Sequence, residues 1–175
     1  MDCGQGQIRY PFDAPPGPGE MQEVAQGVFW MRLSLPMRLD HVNVYLLDDG
    51  DAWTVVDTGL ATRRSRAEWE AALAGPLSGK PVGRVVVTHH HPDHIGLAGW
   101  LAQAHDAEIV TTRTAWLYAR MLVLDVQEAP TPEALAFWRA AGMDREVEAR
   151  RRQERPLNFA DVVAPLPPGC RRIRA

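Results

Sequence analysis

The chain has 175 residues, of which 46% are hydrophobic and 23% charged, a balance that suits one globular domain with a real core. Its formal net charge of −3 lacks the basic footprint of a nucleic-acid-binding surface and the polybasic signal of a membrane-surface protein. That leaves a small molecule as the expected partner. The two cysteines, Cys3 and Cys170, lie near opposite ends and argue against a disulfide scaffold. No basic segment precedes an apolar run at the N-terminus and no stretch has bilayer length, so a cytoplasmic location is expected.

Residues 1–20 are rich in Gly, Pro and Gln and read as a disordered leader. Val24 to Leu35 reads as one or two strands. Val42–Leu47 and Ala52–Val56 are short apolar runs, and the Asp49-Gly50 pair between them signals a hairpin. After Asp57-Thr58-Gly59 the period changes. Ala67, Trp69, Leu73 and Ala74 mark one face of a helix that stops at Gly75-Pro76. Val85–Val87 is a compact buried strand, Leu97, Trp100, Leu101 and Ala104 form a helical stripe, and Glu108–Thr111 is a further strand. This alternation predicts an α/β fold with helices covering a sheet.

Beyond Thr112 the chain reads as helical. Trp116, Ala119, Leu122 and Val123 recur at helical spacing. A second helix is predicted from Pro132 to Gly142 with Leu135 and Trp138 facing inward, and a third is capped by Asp144. The Trp and Met residues here are expected in the core. The third helix carries Arg145, Arg150, Arg151, Arg152 and Arg155 among Glu146, Glu148 and Glu154. Intrahelical ion pairs on a solvated face are the simpler expectation, and an arginine clamp for an anionic substrate is the sharper one.

The chemistry is concentrated in Thr88-His89-His90-His91-Pro92-Asp93-His94, delivered by an apolar strand and followed by a helix. Four of the six histidines fall here. Imidazole and carboxylate are good ligands for zinc and similar ions. In an extended segment residues two apart point the same way, so His89 and His91 can grip one ion while His90 points elsewhere. Asp93 and His94 sit at the first turn of the next helix and can swing toward a second ion. Pro92 stiffens the backbone between the two pairs. The spacing suits two neighbouring metals.

This loop resembles the signature of the metallo-β-lactamase superfamily. Val55-Val56-Asp57-Thr58-Gly59 and the strand Asp40–Leu47 resemble earlier motifs of that superfamily, in the same order. The likeness covers about Val24 to Thr111, and is closer to glyoxalase II and the lactamase-beta-2-like thioesterases and nucleases than to true lactamases. It implies that His89 and His91 bind a first metal, that Asp93 and His94 bind a second, and that Asp57 supports the loop by hydrogen bonds. Two Zn²⁺ ions are implied, with Fe or Mn as alternatives. The implied reaction is hydrolysis of a thioester, ester or lactone by water activated between the metals, with Asp93 also orienting the nucleophile. His41 and His105 match no ligand position and are expected to be structural or surface residues.

The resemblance also calls for a third His, a bridging Asp and a last His downstream, yet no histidine follows His105. The superfamily fold is an αββα sandwich of two similar halves. The expectation is therefore the N-terminal portion of a longer protein: residues 21–111 as the first half, 112–160 as a helical insertion, and 161–175 as the truncated start of the second half. A lone half would expose one apolar sheet face at a cost of ~25 cal/mol per Å², to be covered by a dimer partner or the missing half. Two other functions fit the same residues: an iron-dependent sulfur dioxygenase of the same superfamily, and an inactive half-domain kept as an interaction remnant.

Overall fold

The computed structural model describes residues 11–173. Seven strands form one sheet in chain order, β1 (Met21–Ala25), β2 (Val28–Ser34), β3 (His41–Asp48), β4 (Trp53–Val56), β5 (Val82–Val87), β6 (Glu108–Thr112) and β7 (Arg171–Ile173). The first four are antiparallel and joined by short connections, two of them turned at Gly27 and Gly50, which adopt positive φ. From β4 onward the pairing is parallel, and parallel pairing requires crossovers. Those crossovers are α1 (Arg63–Ala74) between β4 and β5, α2 (Pro92–Ile95) with α3 (Ala98–His105) between β5 and β6, and a long helical excursion between β6 and β7. That excursion holds α4 (Arg113–Leu124), α5 (Pro132–Ala140), α6 (Arg145–Arg151) and α7 (Phe159–Val162).

The core lies on one face of the sheet. Cross-strand register sets Leu46, Val55, Val85 and Ile109 in a row, all buried, and Trp69 of α1 and Leu101 of α3 pack into the same cluster. The opposite face carries a second row, Trp30, Tyr45, Val56, Val86 and Val110, which takes no part in that cluster. Tyr45 there is 39% exposed. This is the half-covered apolar face expected from the sequence. Among the described residues no helix is long and apolar enough to cross a membrane.

Helix boundaries follow local chemistry. Thr62, Thr112 and Thr131 each cap a helix by accepting the backbone N–H three residues on. Asp144 caps α6 through the N–H groups of Glu146 and Val147. The buried face of α1 is Ser65, Glu68, Trp69 and Ala72, whereas Ala67 and Ala74, expected inward, are exposed. Glu68 decides this: its carboxylate accepts both the N–H and the hydroxyl of Ser34, at 2.9 and 2.5 Å, and so clamps α1 to the end of β2. Glu68→Ala strands both buried donors and is expected to cost about 1–3 kcal/mol, read as a lowered urea midpoint at unchanged slope.

Three expectations are corrected. The end of the leader makes structural contacts, since Pro16 is buried and Pro18 bridges Arg32 of β2; residues 1–10 lie outside the described residues. In the helical excursion, α5 buries no residue, with Leu135 and Trp138 only half-covered, and Met121 is 52% exposed. Trp116 is buried as expected. Finally, residues 161–173 do not begin a second layer. Asp161 and Val162 belong to α7, Val163 and Leu166 join the core, and β7 extends the same sheet beside β6.

Candidate metal centre

The loop after β5 and the short helix α2 hold every residue of the motif. Pro92 opens α2, which fits a residue with a fixed φ and no N–H to satisfy. Asp93 and His94 fall in its first turn, and the backbone N–H groups of His94 and Ile95 return to the His91 carbonyl. The rings of His89 and His91 lie edge-on at 4.6 Å between centroids, and those of His89 and His94 at 4.0 Å. His94 Nε2 is 3.3 Å from Asp93 Oδ2. His89, His91, Asp93 and His94 are thus gathered at one place, partly exposed, beyond the C-terminal ends of β4 and β5.

Asp57 organises this place from below. It ends β4 with φ 62°, the left-handed region that Asp tolerates better than most residues, and it is 5% exposed. Its Oδ1 accepts the Thr88 N–H at 2.9 Å, and its Oδ2 accepts the Thr88 hydroxyl at 2.7 Å and His94 Nδ1–H at 2.8 Å. An ionised carboxylate only accepts, so Nδ1 of His94 must carry the proton and Nε2 is the face turned outward. The same logic propagates one step. The Thr88 hydroxyl gives its only proton to Asp57, so toward His89 Nδ1, 3.0 Å away, it accepts. His89 is thereby held as the Nδ1–H tautomer with Nε2 free.

The electrostatics follow. Burial alone would pull the His94 imidazole down, but the hydrogen bond to Asp57 and the charges of Asp57 and Asp93 outweigh it and hold it above the usual histidine value. His89 is pushed below its ordinary value by burial and by the neighbouring His94 and His91, against the weaker pull of Asp57 and Asp93. One ring therefore sits proton-hungry and one proton-poor within a few ångströms.

Several supporting residues carried no sequence signal of their own. Thr58 donates its N–H and its hydroxyl to the His94 carbonyl and accepts the Leu97 N–H, while its own carbonyl receives the Trp69 indole N–H. The ring of His90 packs edge-on against His91 at 5.0 Å and meets Tyr118 of α4 at 5.2 Å. His41 pairs with Asp40 at 2.6 Å at the start of β3, and His105 ends α3. Among the described residues neither makes a hydrogen bond or ring contact to the loop. Cys170 is half-buried against the core, and Cys3 lies outside the described residues.

The donor set fits a divalent ion chemically: three imidazoles and a carboxylate, two of the rings with one nitrogen tied to a hydrogen-bond acceptor. Among the described residues no three His, Cys, Asp or Glu side chains already form a cage. The rings rest on one another instead, and His94 leans on Asp93.

The comparisons with known proteins agree with this geometry. A family model described as the metallo-beta-lactamase superfamily matches residues 37–167. A protein named probable metallo-hydrolase YqjP, from Bacillus subtilis (strain 168), is 38% identical over 73 residues, 41% of this chain and 23% of that protein. A solved beta-lactamase domain protein from Burkholderia ambifaria superposes with a TM-score of 0.78 at 35% identity, covering 94% of this chain and 47% of its own. A metallo-beta-lactamase family protein from Thermus thermophilus gives 0.62 at 26% identity, covering 87% and 47%. The chain thus spans about half the length of these solved relatives. On the matched residues and the shared fold, the chain belongs to the metallo-beta-lactamase superfamily.

Proposed function

We propose that this chain carries the first part of the active centre of a metal-dependent hydrolase acting on a thioester, ester or lactone. The observation that carries the reading is the buried Asp57, bonded at once to Thr88 and His94. A strained backbone position and a buried carboxylate are both given over to presenting two imidazoles in one tautomer. A left-handed Asp also ends α3 at Asp106, so it is the triple bonding of the buried Asp57 carboxylate, and not its φ alone, that supports the reading.

His89 and His91 would hold one ion, and Asp93 and His94 a second, with zinc the first candidate and iron or manganese the alternatives. Bound divalent ions supply Lewis acidity, lowering the pKa of water from ~15.7 toward ~7. The chain's own residues fix the donors, leave Nε2 as the lone-pair nitrogen of His89 and His94 in their neutral forms, and set Asp93 where it can orient a water. The remaining ligands are expected from residues beyond these.

Two measurements test this. Metal analysis of the protein after zinc loading should find zinc, with loss of at least half on replacing His89 and His91 by Ala. Iron as the sole metal would favour the sulfur dioxygenase. Hydrolysis of an acyl thioester, an aryl ester and a lactone by the protein as expressed from its gene should be zinc-dependent, and no turnover on any of them would sink the hydrolase assignment. A pH effect accompanies the first. Ligands must be deprotonated to bind, and His94 sits above the usual imidazole value. Zinc affinity should therefore still be rising with pH above the ordinary histidine range, checked by competition with a chromophoric chelator.

A further inference from the structure

The arginine-rich helix gives the ion pairs that its sequence suggested, but not in balance. Glu148 of α6, 8% exposed, accepts Nε and Nη2 of Arg139 from α5 at 2.8 and 2.7 Å and Nη2 of Arg152 at 3.0 Å, all three on the same Oε1. Arg145, one turn before Glu148, makes no ion pair among the described residues. Positions 145, 148 and 152 share one face of α6 and its C-terminal cap, and with Arg139, Met143, Ala149 and Gln153 they line an open cleft of about 610 Å³. The flanking acids are turned to other work or to solvent. Asp144 caps the helix, and neither it nor Glu146 lines the cleft.

Three guanidinium groups therefore line a cleft that holds one carboxylate, bonded to two of them, an excess of two positive charges on a chain whose net charge is −3. Glu148 braces two of the forks and leaves most of their N–H groups unused, since each guanidinium carries five donors. Planar forks with unused donors, two of them braced on Glu148, suit recognition of a tetrahedral oxyanion. We propose that this cleft between α5 and α6 is a binding site for the phosphoryl dianion of a small soluble molecule, separate from the metal loop. Two negative charges close the balance. A single carboxylate would leave it open.

The test uses the full 175-residue chain at constant ionic strength in chloride. Inorganic phosphate is titrated while the Nε–H resonances of the arginines are followed by NMR. Saturable shifts of Arg139, Arg145 and Arg152 are expected, with acetate at least tenfold weaker. Arg145→Gln leaves the Glu148 brace intact and should weaken phosphate at least tenfold, with the Arg139 Nε–H signal retained as evidence that the brace still forms. Arg152→Gln should act in the same direction. Equal response to acetate, no saturable shift, or undiminished binding in Arg145→Gln would each reduce the cluster to a solvated ion-pair network. Phosphate held at the metal loop instead would be indifferent to Arg145→Gln and so count against the proposal.

Discussion

Replacing Asp57 by Ala is expected to weaken zinc binding by about 10- to 100-fold and to destabilise the fold by about 1–3 kcal/mol. Three donors lose their shared buried acceptor together: the Thr88 N–H, the Thr88 hydroxyl and His94 Nδ1–H. With Asp57 gone nothing selects the His94 tautomer, and the Thr88 hydroxyl is free to turn its proton toward His89 and reverse that tautomer too. The loss thus reaches both proposed metals through one residue. Asp57→Asn separates the parts of this effect. The amide keeps the volume and some hydrogen bonding but removes the charge that holds His94 above its usual value. Zinc should bind more weakly at high pH, yet the acid-side loss of zinc should move to lower pH, because the proton competes less well for His94. General damage to the fold would lower affinity without that shift. Chelator competition between about pH 5 and 9, beside chemical denaturation, reads both.

The metal loop was legible in the sequence because its donors are neighbours. His89, His91, Asp93 and His94 lie within two turns' length of chain, and a strand leading into a helix start brings them together without help from the rest of the chain. Asp57 stood out only through its setting at the end of an apolar strand. Its positive φ and its triple bonding needed the fold. Thr58 was visible only as part of its motif and Trp69 only as a helix's apolar face; their bonds cross 36 and 11 residues and leave no period behind.

The helical excursion departs from its sequence pattern for a related reason. Periodicity reports which side of a helix is apolar, not whether anything covers it, and α5 has an apolar side with no buried residue. At residues 161–163 the run of apolar residues hid a better signal. Asp161 accepts the Asn158 N–H at 2.8 Å, a capping pair three residues apart that starts α7. The apolar row Trp30, Tyr45, Val56, Val86 and Val110 was foreseeable from strand alternation, and its partial exposure is what a half-sandwich should show.

Gly96→Ala is expected to be among the most disruptive changes of one methyl group in the chain, and the one that reaches the metal loop. The residue has ordinary helical dihedrals, so backbone freedom is not its reason. A Cβ there would lie 2.3 Å from the Gly59 carbonyl oxygen, 2.5 Å from the Pro92 carbonyl oxygen and 2.8 Å from the Ala61 nitrogen, while its own carbonyl accepts the Ala164 N–H at 2.7 Å. All three close contacts are backbone and cannot rotate aside. The methyl would drive the Asp57–Ala61 segment away from α2, and with it the bonds from Thr58 and Asp57 to His94. A cost of about 3 kcal/mol or more is expected, a fall in melting temperature of roughly 6–12 °C for a chain of this size. Zinc affinity should fall with it, because the displaced strand end is the one that orients the imidazole. Gly169→Ala is the matched control: a Cβ there meets nothing within 4 Å, and its melting temperature and zinc affinity should stay at wild type. If Gly96→Ala melts with the control, the contact between α2 and the end of β4 is looser than these distances require, and the route by which Asp57 positions His94 would have to be redrawn.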